Sequence, residues 1–138
     1  MPYLNLLFAF MASASIAVAF RAPLRAVPAS GLAGLLGYGA YALSHFYGAP
    51  QMLSVFLGAL LVSAGGELMA RLLREPATMF VVPGLFPLMP GLMVYSGMLN
   101  LARGELSLAG QELTRTLFYA GALAAGLALP PAFARRPR

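Results

Sequence analysis

Glu67 and Arg71, one helical turn apart in an otherwise apolar stretch, are the nearest this sequence comes to a reactive pair. A carboxylate inside a membrane at that point would accept a proton or engage a substrate. The same two residues also read as an i,i+4 ion pair at a membrane interface, worth roughly a few tenths of a kcal/mol. Both readings stay open on sequence alone. The single histidine, His45, lies in Ser44-His45-Phe46-Tyr47. There a proton relay competes with an interfacial side chain beside an aromatic belt. With no aspartate and no cysteine in the chain, no acid/base pair, Cys-based metal site or Gly-rich phosphate loop can be assembled. These absences point away from an enzyme and imply no metal or cofactor. Any transport must run on an ion gradient or on ATP hydrolysed elsewhere.

A different kind of chemistry is written into residues 78–99, TMFVVPGLFPLMPGLMVYSGML. The stretch is long enough to span a bilayer, yet Pro83-Gly84, Pro87 and Pro90-Gly91 fall around its middle. Each proline removes a backbone donor and clashes with the carbonyl four residues back. Lipid cannot satisfy freed carbonyls, so interrupted backbone at that depth must be buried in protein or line a wet cavity. A half-helix beginning after such a break turns its positive end toward a carboxylate. Tyr95, just over one turn beyond Pro90-Gly91, could donate a hydrogen bond to the same ligand. Pro83, Gly84, Pro87, Pro90, Gly91 and Tyr95 are therefore the candidate substrate path, with Glu67 and Arg71 as candidate proton carrier and gate. A kink that serves packing alone is the competing reading.

The elements that must position these residues belong in lipid. The chain is 60% hydrophobic and 9% charged, against roughly 25% charged residues in soluble domains. Its net charge of +5 would suggest nucleic acid in a soluble protein. Here the arginines flank apolar runs, which is the pattern of membrane topology and gives no role to nucleic acid. Ala17-Val18-Ala19 resembles a signal-peptidase site, but no basic residue precedes Arg21. The first apolar run therefore reads as an uncleaved span.

A helix needs about 20 apolar residues to cross a hydrocarbon core. Five stretches qualify, at about 3–20, 28–47, 51–70, 78–99 and 112–133. The sequence thus predicts an all-α polytopic membrane protein, a single transmembrane domain over residues 1–138, with five helices and the fourth broken by Pro and Gly. Five crossings put Arg21, Arg25, Arg71, Arg74, Arg135, Arg136 and Arg138 on one side, and Arg103 and Arg115 on the other. The positive-inside rule then sets the N-terminus outside and the C-terminus in the cytoplasm. A re-entrant fourth segment would give a weaker split of arginines. On the outer side Arg103, Glu105, Glu112 and Arg115 read as a wet, charge-balanced loop.

Small residues recur on several faces. Gly31, Gly34 and Gly37 are three apart in the second stretch, Gly58, Gly65 and Gly66 lie in the third, and Gly121 and Gly126 in the fifth. Such faces let helix backbones approach closely where lipid offers no hydrophobic drive. They imply a compact bundle and leave room for a partner within the membrane, whether another subunit or a second copy of this chain.

The run from Phe80 to Gly91 followed by Tyr95 resembles the Pro-Gly-x-x-Pro-Leu-x-Pro-Gly signature of the threonine/serine exporter family. Phe20-Arg21-Ala22-Pro23, the Gly31/Gly34/Gly37 series, and Glu67-x-x-Ala70-Arg71 ahead of Pro76-Ala77-Thr78 agree with the same pattern. Met89 departs conservatively from a more usual valine. The resemblance implies the second, five-span half of an exporter that exists either fused or as a split pair. It implies bacterial inner-membrane export of threonine and serine, or of a dicarboxylate such as succinate, driven by the proton gradient. It also implies a larger membrane subunit as obligate partner. A non-transporting scaffold or assembly subunit is the alternative.

Overall fold

The computed structural model describes residues 2–134, which form helices and turns with no strand among them. Arg135, Arg136 and Arg138, three of the arginines that orient the chain, lie outside the described residues. Helix α1 is Pro2–Ala19, α2 Ala26–Phe46 and α3 Gln51–Leu73. The interrupted stretch forms α4, Thr78–Leu85, a 3₁₀ turn at Phe86–Leu88, and α5, Gly91–Ala102. The chain then closes with α6, Leu106–Ala134.

Helix ends follow one local rule. Arg21, Gly48, Arg74 and Gly104 take left-handed backbone angles just past α1, α2, α3 and α5. Each lets the next amide reach back five residues: Ala22 to Ala17, Ala49 to Ser44, Glu75 to Ala70 and Glu105 to Asn100, at 2.9–3.1 Å. These bonds satisfy carbonyls that a helix C-terminus would otherwise strand. Glycine adopts this conformation freely, whereas an L-residue there costs about 1–2 kcal/mol. The two arginines accept that strain at the α1 and α3 ends, where a cation also complements the helix dipole.

Three helices, α2, α3 and α6, are long and apolar enough to cross a membrane, and the bent pair α4–α5 qualifies together as a fourth. The expectation of five spans is thus met in part. The shorter α1, whose apolar run is Tyr3–Ala19, stops early because Arg21 turns left-handed and Pro23 follows. Boundaries elsewhere also shift. The last helix starts at Leu106, so Glu112 and Arg115 lie on its surface and not in a loop.

Helices α1, α2, α3, α6 and α5 pack in that order, each against the next. The α4 segment lies across α1, α2 and α3. It supplies the deepest side chains: Phe80, Pro83 and Leu88 are fully buried. Phe80 packs on Ala26 and Ala29, while Leu85 and Leu88 pack on Ala59 and Val62. The predicted small faces make these contacts possible. A methyl group on Gly58 would lie 2.8 Å from the Gly37 carbonyl oxygen, so α2 and α3 touch backbone to backbone. Outward-facing positions are overwhelmingly apolar, from Leu4, Leu7 and Phe8 to Leu117 and Phe118. Such a surface is a liability in water and suits lipid.

Direction of travel decides how the bent pair connects the bundle. Gly126 of α6 sits on Phe56 and Ala59 of α3, Leu127 meets Ser63, and Pro130 and Phe133 share a groove with Glu67 and Arg71. The two helices therefore run in the same direction. α4 and α5 must carry the chain from the end of α3 back toward the end where α3 began.

Close approach at Gly126 gives a direct test of this packing. A methyl group there would stand 2.5 Å from the Phe56 carbonyl oxygen and 2.9 Å from Ala59 Cβ, whereas one at Gly121 meets nothing within 4 Å. Gly126→Ala is expected to destabilise the detergent-solubilised protein by about 1–3 kcal/mol, as overpacking does. Gly121→Ala should leave thermal unfolding unchanged. Equal behaviour of the two variants would contradict the α3–α6 interface.

Candidate functional site

The break in the fourth segment lies in the later part of the Pro83–Gly91 run. Pro83 lies inside α4 without ending it. The chain tightens to a 3₁₀ turn at Phe86–Leu88 and then opens at Met89 and Pro90. Across this point the two helices bend by 53°. Gly91 donates to the Met89 carbonyl at 2.9 Å and Val94 to that of Pro90 at 3.1 Å. The amides of Leu92 and Met93 have no helical carbonyl behind them. They form the positive end of a half-helix. Gly91 is exposed, and a methyl group on it would meet nothing within 4 Å.

The predicted path residues divide around this break. Pro83 and Gly84 are buried, with Gly84 against Ala33, Gly34 and Val62. Pro83 floors a groove of about 230 Å³ with Phe20, Ala22, Thr78, Met79 and Val82. Pro87 lines a second groove, about 310 Å³, with Asn5, Phe8, Ala9, Ala12 and Tyr38. Pro90 is half-buried, and Tyr95 is 63% exposed on the outer face of α5. Among the described residues α5 packs on α6 alone. The site residues thus share one strand of backbone but not one enclosed cavity.

Glu67 and Arg71 occupy a separate groove of about 340 Å³ with Ala64, Leu68, Pro130 and Phe133. Glu67 is half-buried and Arg71 exposed. A glutamate at the seam of two parallel helices, next to a proline-interrupted end, can reach both the bundle and the interface.

Residues 5–133 match the threonine/serine exporter (ThrE) family. The chain belongs to that family. It is 31% identical over 126 residues to a threonine/serine exporter of Corynebacterium glutamicum, a match covering 91% of this chain and 26% of that relative. The chain therefore spans about a quarter of that relative's length. No solved structure matches it.

In this exporter-family chain the fold also gathers polar groups that the sequence reading did not connect. Tyr38 and Tyr41 of α2 have ring centroids 5.9 Å apart, and Tyr41 stacks on His45 at 6.0 Å with planes 2° apart. Tyr119 of α6 is buried, at 8% exposure. Tyr41 packs on the same core as Leu88, next to the break. The spacing Tyr38-x-x-Tyr41-x-x-x-His45 is a one-face helical signature that was visible in the sequence. This cluster places hydrogen-bonding groups on the α2 side of the interrupted segment, and Tyr38 opens into the Pro87 groove.

The chain contains no cysteine, which allows single thiols to report on the break. Gly91→Cys is expected to react with a water-soluble maleimide in intact membranes many times faster than Leu85→Cys. A rate for Gly91→Cys no greater than that for buried Leu85→Cys would show that the break does not face water.

Proposed function

We propose that this protein is the small membrane subunit of a gradient-driven exporter of carboxylate-bearing metabolites. The observation that carries this reading is the match to the exporter family over residues 5–133, joined to a half-helix whose positive end opens outward at the break. The substrates it supports best are threonine and serine, the amino acids in the relative's name. A dicarboxylate such as succinate fits the same half-helix chemistry.

In this reading all five segments cross a bacterial inner membrane, with the N-terminus outside and the C-terminus in the cytoplasm. The parallel course of α3 and α6 supports a crossing fourth segment over a re-entrant one. Arg21, Arg25, Arg71 and Arg74 cluster at one end of the bundle, which supports that end as cytoplasmic. α1 reaches the lower limit of span length at about 17 residues.

Pro83, Gly84 and Pro87 shape the path along the bundle. Pro90 and Gly91 present the free amides of α5 to the substrate carboxylate, and Tyr95 donates a hydrogen bond from the next turn. Glu67 carries the coupling proton and Arg71 gates it at the cytoplasmic end. A larger membrane subunit closes the site. The chain spans 26% of its relative, and α5 leaves its outer face, with Leu92, Tyr95 and Met98, uncovered. A second copy of this chain is the other surface that could seat there.

Co-expression with the complementary membrane subunit is expected to lower internal threonine or succinate relative to either protein alone. Glu67→Gln should insert at normal levels and cut that export by about an order of magnitude or more. Wild-type efflux in the Gln variant would remove Glu67 from the mechanism. No efflux with any complementary subunit would favour a scaffold role.

A further inference from the structure

Internal prolines free specific carbonyls, and for Pro83 and Pro131 the fold shows where they go. The residue four before Pro83 is Met79, and the residue four before Pro131 is Leu127. In a regular helix the amides at 83 and 131 would bond these two carbonyls. Proline has no such proton. In their place, Ser30 Oγ of α2 donates to the Met79 carbonyl at 3.0 Å. Ser63 Oγ of α3 donates to the Leu127 carbonyl at 3.0 Å. Both serines are buried, at 0% and 3% exposure. The partners lie 49 and 64 residues apart in sequence. The coincidence of each hydroxyl with the one carbonyl its proline has orphaned is not a generic feature of serine in a helix. A helical serine ordinarily bonds back to its own carbonyl three or four residues earlier, as Ser44 and Ser96 do here.

We infer that Ser30 and Ser63 are positioning residues, each hydroxyl standing in for the amide proton that Pro83 or Pro131 lacks. Ser30 clamps the first half of the interrupted segment to α2, and Ser63 clamps the end of α6 to α3. Ser30 has a further property. Its oxygen also lies 2.9 Å from the Ala26 carbonyl, and a hydroxyl has one proton to give. When that proton turns to Ala26, the Met79 carbonyl is released while Ser30 stays satisfied. The brace on α4 can therefore open without leaving a buried donor unpaired. Ser63, with its Leu127 bond, forms the fixed counterpart.

The test is a pair of double-mutant cycles on the full chain in detergent, read by thermal unfolding and therefore independent of what the protein carries. Ser30→Ala is expected to lower the melting temperature by a few degrees. In a Pro83→Ala background, where residue 83 regains its proton for Met79, the same change should have little effect. Ser63→Ala should be rescued in the same way by Pro131→Ala. The mismatched combinations, Ser30→Ala with Pro131→Ala and Ser63→Ala with Pro83→Ala, should simply add. If Ser30→Ala cannot be recovered folded, recovery of Ser30→Ala/Pro83→Ala supports the brace. Failure of both variants overturns it for that pair. Equal losses in the proline and alanine backgrounds overturn it as well.

Discussion

Backbone groups that lose their helical partner inside a membrane have no water to turn to, and the architecture of this chain is organised around that constraint. Four of its six helices end in the same left-handed turn, which returns an amide to a stranded carbonyl. Around Pro87 and Pro90 the helix tightens, so that Phe86 bonds Pro83 and Met89 bonds Phe86. Where tightening is not available, at Pro83 and Pro131, buried hydroxyls from neighbouring helices take over. At these four prolines the surroundings receive the carbonyls that are released.

Close packing follows from the same solvent. Lipid tails give helices no hydrophobic reason to associate, so association rests on contact area and on short polar bonds. Gly37 against Gly58 and Gly126 against Phe56 bring backbones together. That proximity is what places Ser63 within bonding distance of α6. A bulkier α3–α6 seam would hold Leu127 out of reach. Small faces and serine bonds are therefore one device: the first sets the distance over which the second operates. Buried Ser13 shows the limit, since its hydroxyl packs on Gly34 without a hydrogen-bond partner.

Much of this was legible in the sequence. Charge flanks and Pro/Gly punctuation marked most helix ends, and the Gly31, Gly34 and Gly37 face is buried against α1 and α3 as its spacing requires. The existence of the break was legible too, because three prolines in eight residues cannot form one regular helix. Which of those prolines ends the first half-helix was not. Whether a proline ends a helix depends on a donor elsewhere in the bundle, and Ser30 stands 49 residues from Met79. Local pattern carries no information about such a partner.

The bend at Met89–Pro90 has a consequence for how a substrate could pass. Before it, the segment is held on three sides by α1, α2 and α3; beyond it, among the described residues, α5 rests on α6 alone. A chain built this way has one well-braced half of a path and one half open on its outer side. The open half carries groups with unmet bonding capacity: the amides of Leu92 and Met93 and the exposed Tyr95 hydroxyl. In a bilayer such groups cannot be left against acyl chains at no cost. They need water, a ligand or another polypeptide. The braced half has no such demand, since its freed carbonyls are already bonded. The two sides of one interrupted helix thus differ: α4 is anchored framework, and on the proposed exporter reading the start of α5 is the surface that would meet a substrate or partner.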